Sequence, residues 1–502
     1  MHSSWSYNLE TPVYVGKITA PTGLFINGAF VDGSNNSTID VLNPTTGEVI
    51  TQVSEGTSKD VDIAVEAAET AFNTAWGLKV PGSVRGKLLA KLATLMEEST
   101  DELAAIEALN SGSTYTVMRE WRVPMCIAFI RYYAGWADKI SGQVIETDER
   151  KLTYTRHEPI GVVGQIIPWN SPLLMFAAKI APALAAGNTV VMKPSEMTPL
   201  TALRVCTMVQ EAGFPPGVLN VVVGYGNTVG AAMSSHMKID MISFTGSTLT
   251  GRTIMEAAAK SNLKNVTMEL GGKSPNIIFN DADLDQAVKW STRGIFLNQG
   301  QMCFAGSRIY VQSGIYDEFL TKFTAQAMQR RIGDPFNPDS NQGPQISSHQ
   351  TERIMGYIKS GIEDGATVHY GGYRHGGEGG NFITPTIFTN TTPGMKIVRE
   401  EIFGPVSIVI KFDDQEDVIR QANDTTYGLA AAVFTQNISQ AFEVGHALKA
   451  GTVWVNCYTE LSPGIPFGGY KQSGIGREYG SYALEHYVNV KAMHVNIGHK
   501  LP

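Results

Sequence analysis

The sequence predicts an α/β protein with two open parallel-sheet domains and a small β element, and three observations carry that expectation. Between about residues 160 and 280, short β-branched runs (Val162–Ile167, Thr189–Met192, Leu219–Val223, Met241–Phe244) alternate with segments of helical composition, the pattern of βαβ units. A second such stretch opens near Gly271 and runs to about Gly469, with strands expected at Ile277–Phe279, Ser307–Val311, Val406–Phe412 and Thr452–Asn456. Two extended pieces, roughly Gly142–His157 and Tyr487–Ile497, flank these units and are of the kind that pairs across protomers.

The chain enters through a β-rich stretch, residues 21–56, punctuated by turn signals at Asn27-Gly28, Asp32-Gly33 and Thr46-Gly47. Two helical patterns follow; in the second, Leu88, Leu89, Leu92, Leu95 and Met96 recur at helical spacing. The glycine cluster Gly371–Gly380 reads as a surface loop, and no internal repeat is evident. A length of 502 residues corresponds to two to four domains at ~150 residues each.

Composition narrows the function classes. A hydrophobic content of 43% with 17% charged residues is that of an ordinary globular protein. A net charge of −8 argues against a nucleic-acid surface, which needs a basic face. No apolar stretch approaches the ~20 residues of a membrane span. The 4 cysteines (Cys126, Cys206, Cys303, Cys457) include no CxxC, which argues against a disulfide framework and a metal site and fits a reducing compartment. The N-terminal residues carry no secretory pattern, and the C-terminal ones no peroxisomal or prenylation signal, so the cytoplasm is the expected location.

The segments that carry chemistry lie at the expected strand ends. Asn298-Gln299-Gly300-Gln301-Met302-Cys303 sets one thiol among polar, flexible neighbours, unlike Cys126 and Cys206, which read as small buried hydrophobes. Glu269 ends the strand-like Val266–Glu269 before Gly271-Gly272. A thiol beside a carboxylate suits covalent aldehyde oxidation, in which sulfur attacks the carbonyl and a base prepares hydrolysis. Asn170, in Pro168-Trp169-Asn170, is a candidate oxyanion donor. Ser243–Gly251 follows a strand and opens a helix with GxxxxG spacing, unlike the common GxGxxG fingerprint, and offers a phosphate site. Lys193 and Glu196 follow another strand; a carboxylate there accepts ribose hydroxyls and disfavours a 2′-phosphate, which points to NAD over NADP.

Together these strings resemble the aldehyde dehydrogenase superfamily from about Phe25 to Val495, nearest its NAD-dependent cytosolic and mitochondrial class. The matching strings are PWN at 168–170, KPSE at 193–196, FTGST at 244–248, MELGGKSP at 268–275, NQGQMC at 298–303, EEIFGPV at 400–406 and PFGGYKQSG at 466–474. The resemblance implies a Rossmann-like NAD-binding domain (9–136 and 160–271), a catalytic α/β domain (272–472), and an oligomerisation arm with tail (137–159 and 473–502). It implies a homo-oligomer, a tetramer rather than a dimer. It casts Cys303 as nucleophile, Glu269 as general base and Asn170 as oxyanion donor. Lys193 and Glu196 would hold the adenosine ribose; Trp169 and Ser247 would contact the pyrophosphate, with Gly246 and Gly251 shaping the turn; Glu401 and Phe403 would position the nicotinamide half, and Ile167 is a further cofactor-binding candidate. Retention of Glu269 favours hydrolysis to a free acid over acyl transfer to coenzyme A. Presence of both nucleophile and base disfavours a non-catalytic structural role on the same scaffold.

Departures from the resemblance fall on the substrate tunnel. Ser171, Ala178, Leu297 and Leu461 stand where relatives carry aromatic residues. Met302 and Phe304 are larger than usual, while Met125 and Phe467 are retained. Four lost aromatics imply a widened tunnel and an aldehyde bulkier than acetaldehyde, unless Phe176 fills the space. Glu107–Gly112 also departs from the family string E-x-x-D-N-G-K, which questions a contact at a helix end.

Overall fold

A computed structural model describes residues 4–377 and 380–501. Its first large sheet runs, in spatial order, Gly474–Ile475, Asn265–Glu269, Met241–Thr245, Val162–Ile166, Thr189–Lys193, Leu219–Val221, Leu24–Ile26 and Ala29–Val31. The five middle strands are parallel; the outer ones pair antiparallel. Every residue of Val162–Ile166, Thr189–Lys193 and Met241–Thr245 is buried, because helices cover both faces of a parallel sheet and leave no solvated side. The hairpin Leu24–Val31 turns at Asn27 and Gly28, both left-handed (φ 52° and 74°), as an Asn-Gly turn requires.

The second sheet runs Thr367–Tyr370, Thr386–Thr389, Val406–Phe412, Arg308–Gln312, Pro275–Ile278, Ala430–Phe434 and Thr452–Val455. Residues 270–274 are the link from the first sheet into it. A three-stranded sheet of Val488–Asn496, Lys151–Pro159 and Val144–Asp148 stands apart. The C-terminal stretch thus divides. Gly474–Ile475 adds to the first sheet and Tyr479, Ala483 and Leu484 enter its core, while Val488–Asn496 pairs into the three-stranded sheet. A hairpin of Ser4–Glu10 and Val15–Pro21 precedes the β-rich entry.

Helix Pro172–Ala186 is apolar but for Lys179, which is paired with Glu478, and sits between the first sheet and helix Val123–Trp136, which is why only Met175 along it is not buried. Helix Gly82–Glu98 buries Leu89, Leu92 and Met96 on one stripe. At the helix end questioned above, Asn110 Nδ2 donates to the Met197 carbonyl at 2.9 Å, and Gly112 caps the helix at φ 75°. Among the described residues no helix is long and apolar enough to cross a membrane.

Candidate active site

A cavity of ≈ 310 Å³ opens where the C-terminal strand ends of the first sheet face the second sheet. Parallel sheets place ligands at such ends, where neighbouring connections diverge to opposite sides. Here Val162–Ile166 has its successor Thr189–Lys193 on one side and Met241–Thr245 on the other.

Cys303 reaches the cavity through an unusual turn. Helix Leu284–Phe296, capped by Asp283, stops at Leu297, and Asn298 and Gln299 follow in left-handed geometry (φ 52° and 58°). Side chains hold that strained pair. Asn298 Nδ2 donates to the Asn170 carbonyl at 2.9 Å, and Asn298 Oδ1 accepts from Ser113 Oγ at 2.6 Å. Gln299 Nε2 donates to the Pro344 carbonyl at 2.9 Å. Asn170 Nδ2 donates to the Gln301 carbonyl at 2.9 Å, which leaves its second amide hydrogen for the cavity. Gly272 permits the approach of the two sheets: a Cβ there would meet the Cys303 carbonyl oxygen at 2.2 Å.

The site is acidic and mostly buried. Glu269 is buried, with Oε2 unpartnered; burial and the adjacent Glu478 hold its carboxyl well above the usual range. Glu401 accepts the Gly272 N–H at 3.0 Å, and burial pushes it up to about 7. Burial first, then the nearby Glu401 and Glu269 carboxylates, raise the Cys303 thiol. The thiol is therefore protonated until a positive charge arrives.

The strand ends also form a cradle for a dinucleotide. Ser247 caps helix Thr248–Lys260, accepting from Thr250 N–H at 3.2 Å, so the helix start faces the cavity. A Cβ at Gly251 would meet Leu270 at 2.8 Å, so glycine lets this helix lie close on the sheet. Lys193 is buried and its Nζ donates to Glu196 Oε2 at 3.1 Å. Ile167, buried beside them, donates its N–H to the Lys193 carbonyl at 3.1 Å. Trp169 and Phe403 meet edge to face at 5.3 Å, with Phe403 held in left-handed backbone geometry (φ 59°). An orphaned buried carboxylate oxygen, an open helix start and a glycine-close helix fit a phosphate-bearing cofactor with a cationic ring. Among the described residues no cluster of His, Cys, Asp and Glu could hold a metal ion.

Cys303, Glu269, Asn170, Trp169, Gly246, Ser247, Glu401, Phe403, Ser171, Met302, Phe304, Leu461 and Phe467 all line this one cavity. Ile167, Lys193, Glu196 and Gly251 lie beyond it along the sheet edge. Three tunnel candidates are not in the lining: Met125, Ala178 and Leu297. Ala178 sits one helical turn past Leu174 and Met175, whose larger side chains take that face. Met125 lies one turn past Arg122, which fills the wall instead. Phe176 is fully buried in the core and lines no part of the cavity. Arg122, Leu174, Met175, Glu478 and Tyr479 line the wall without having been singled out in the sequence. Leu174 and Met175 follow Ser171 at helical spacing, a legible signal; Glu478 lines the wall while paired with Lys179, a contact remote in the chain.

Comparison with known proteins agrees with this geometry. Residues 30–493 match the Aldehyde dehydrogenase family. The chain is 64% identical over 501 residues to an aldehyde dehydrogenase of Agaricus bisporus, covering 100% of both chains. It is 52% identical to a mitochondrial aldehyde dehydrogenase family 2 member of Arabidopsis thaliana, over 94% of this chain and 88% of that one. An NAD+ complex structure of an aldehyde dehydrogenase from Bacillus cereus superposes with a TM-score of 0.94 at 48% identity, covering 95% of this chain and 97% of that chain.

Proposed function

The chain belongs to the aldehyde dehydrogenase family, and on that premise we propose how its residues oxidise an aldehyde to a carboxylic acid with NAD. One observation carries the reading: a thiol, a buried carboxylate and an amide donor share one cavity with the dinucleotide cradle. Cys303 gives up its thiol proton to solvent as Sγ adds to the carbonyl carbon, and the oxyanion of the thiohemiacetal takes hydrogen bonds from the Asn170 amide and the Cys303 backbone N–H. NAD, when bound, supplies the two-electron acceptor for the hydride that leaves as the thioester forms. Glu269 then removes a proton from water, which attacks the thioester and frees Cys303 with the acid. Lys193 and Glu196 hold the adenosine ribose, Trp169, Gly246 and Ser247 the pyrophosphate, and Glu401 and Phe403 the nicotinamide half.

The substrate is bulkier than acetaldehyde. Ser171 and Leu461 line the wall where the resemblance leads one to expect aromatic rings, which supports a roomier tunnel; only these two of the four departures bear on it. Higher kcat/KM for acetaldehyde and propanal than for longer aldehydes would overturn this. We also propose a homotetramer, supported by exposed apolar residues on the three-stranded sheet (Val144 at 68%, Val490 at 65%). A cytoplasmic location fits four free cysteines and is tested by fractionation.

Following NADH with an aldehyde, with and without coenzyme A, tests the reaction. Turnover without coenzyme A, yielding free acid, is expected; turnover only with it would show acyl transfer. Glu269→Gln should give about one NADH per site and then stall, because acylation survives and deacylation loses its base.

A further inference from the structure

Arg122 is a buried cation facing the catalytic cavity with nothing of opposite charge bound to it. The residue is 5% exposed and lines the cavity wall. Its Nε has no hydrogen-bond partner, and its Nη2 donates only to the thioether sulfur of Met302 at 3.2 Å. Among the described residues it has no ion pair. A guanidinium keeps its charge in proteins, and burying it unpaired costs several kcal/mol. A fold retains such a group where something else brings the counter-charge.

The local backbone aims it there. Met118–Arg122 forms one wide π-helical turn before helix Val123–Trp136, a feature that re-directs side chains at functional sites. The Trp121 ring backs the guanidinium at 4.5 Å, and Arg293 lies over the same ring at 5.4 Å. Glu107 is the one carboxylate among the groups whose charge acts on Arg122, but its Oε1 accepts the Leu173 N–H at 3.1 Å and the Thr201 hydroxyl at 2.5 Å. Glu107 and Arg122 both line a small void.

We propose that Arg122 binds a carboxylate on the substrate, so that the preferred aldehydes are short ω-carboxy aldehydes with an apolar spacer between the two ends. This rests on the oxidation reading above and deepens it. Leu174, Met302, Phe304, Leu461 and Phe467 supply the apolar wall for the spacer, and the guanidinium meets a carboxylate with two parallel hydrogen bonds. An aldehyde carrying a quaternary ammonium would be repelled.

The test compares 4-oxobutanoate with butanal, and 5-oxopentanoate with pentanal, by NADH formation. The wild-type protein is expected to favour at least one acid over its matched aldehyde by about tenfold or more in kcat/KM, the value of a charged hydrogen bond. In Arg122→Met that ratio should collapse to one or below whatever the absolute rates, with Arg122→Lys intermediate. A wild-type ratio of one or less, or a ratio unchanged in Arg122→Met, overturns the assignment and leaves Arg122 as a structural partner of Glu107. Should the variants not fold, inhibition of the wild-type protein decides: glutarate should compete with butanal and neutral glutaramide should not, and equal effects overturn the proposal. Butanal oxidation without acid preference sinks this inference alone; no NADH from any of the four aldehydes sinks the oxidation reading with it.

Discussion

At the residue scale, the nucleophile's charge state governs the chemistry. In the unliganded protein Cys303 shares a buried site with Glu269 and Glu401; burial raises all three, Glu478 adds to the rise at Glu269, and Glu401 and Glu269 add to that at Cys303. A cationic ring beside the sulfur would stabilise the thiolate. Iodoacetamide should therefore modify Cys303 faster with NAD present, and the pH at half-maximal alkylation should fall. No shift would mean that the ring is not seated at the thiol. Asn170→Ala removes one oxyanion donor and should lower kcat by about 10²–10³-fold, while NAD binding, read by fluorescence quenching, persists. Gly272→Ala places a methyl 2.2 Å from the Cys303 carbonyl oxygen. A shift of ~1 Å at the nucleophile should cost about a hundredfold in kcat/KM.

At the element scale, the sequence revealed what repeats and concealed what depends on three-dimensional neighbours. The buried strands Val162–Ile166, Thr189–Lys193 and Met241–Thr245 were legible because a sheet covered on both faces demands continuous apolar runs. The Cys303 turn was legible as polar and flexible, yet its left-handed pair at Asn298 and Gln299 depends on partners at Ser113, Asn170 and Pro344, far away in the chain. Arg122 sits in Arg119-Glu120-Trp121-Arg122, a segment with no periodic signal of its own, and the π-turn and the packed helices bury it. Met125 and Ala178 stay out of the cavity lining for a related reason: a position's nearness to the cavity is set by which turn of a helix reaches it.

Glu107 gives a test at this scale. Burial raises its carboxyl from 4.5 to about 7 in the folded protein. A carboxyl with a raised folded value binds its proton more tightly when folded, so the stability it contributes is whole below pH 4.5 and lost as pH rises through about 7. Glu107→Gln should therefore reduce the decline in Tm between those limits relative to wild type. Parallel Tm profiles would show that Glu107 titrates normally.

At the scale of the whole molecule, the three-stranded sheet leaves two outer strands, Val144–Asp148 and Val488–Asn496, with exposed apolar side chains. Exposed strand edges of this kind invite pairing with another chain. Light scattering should give a mass near four times 54.4 kDa for the wild type. Val144→Asp with Val490→Asp should reduce it, and an unchanged mass would place the interface elsewhere.

The short link 270–274 joins the two large sheets, and the Cys303 carbonyl rests against Gly272 within it. The reactive thiol is therefore mounted at the joint, where any separation of the two halves would first be felt. On gradual heating, loss of catalytic turnover should coincide with or precede global melting; a stretch of temperature in which the halves have come apart yet turnover survives should not exist.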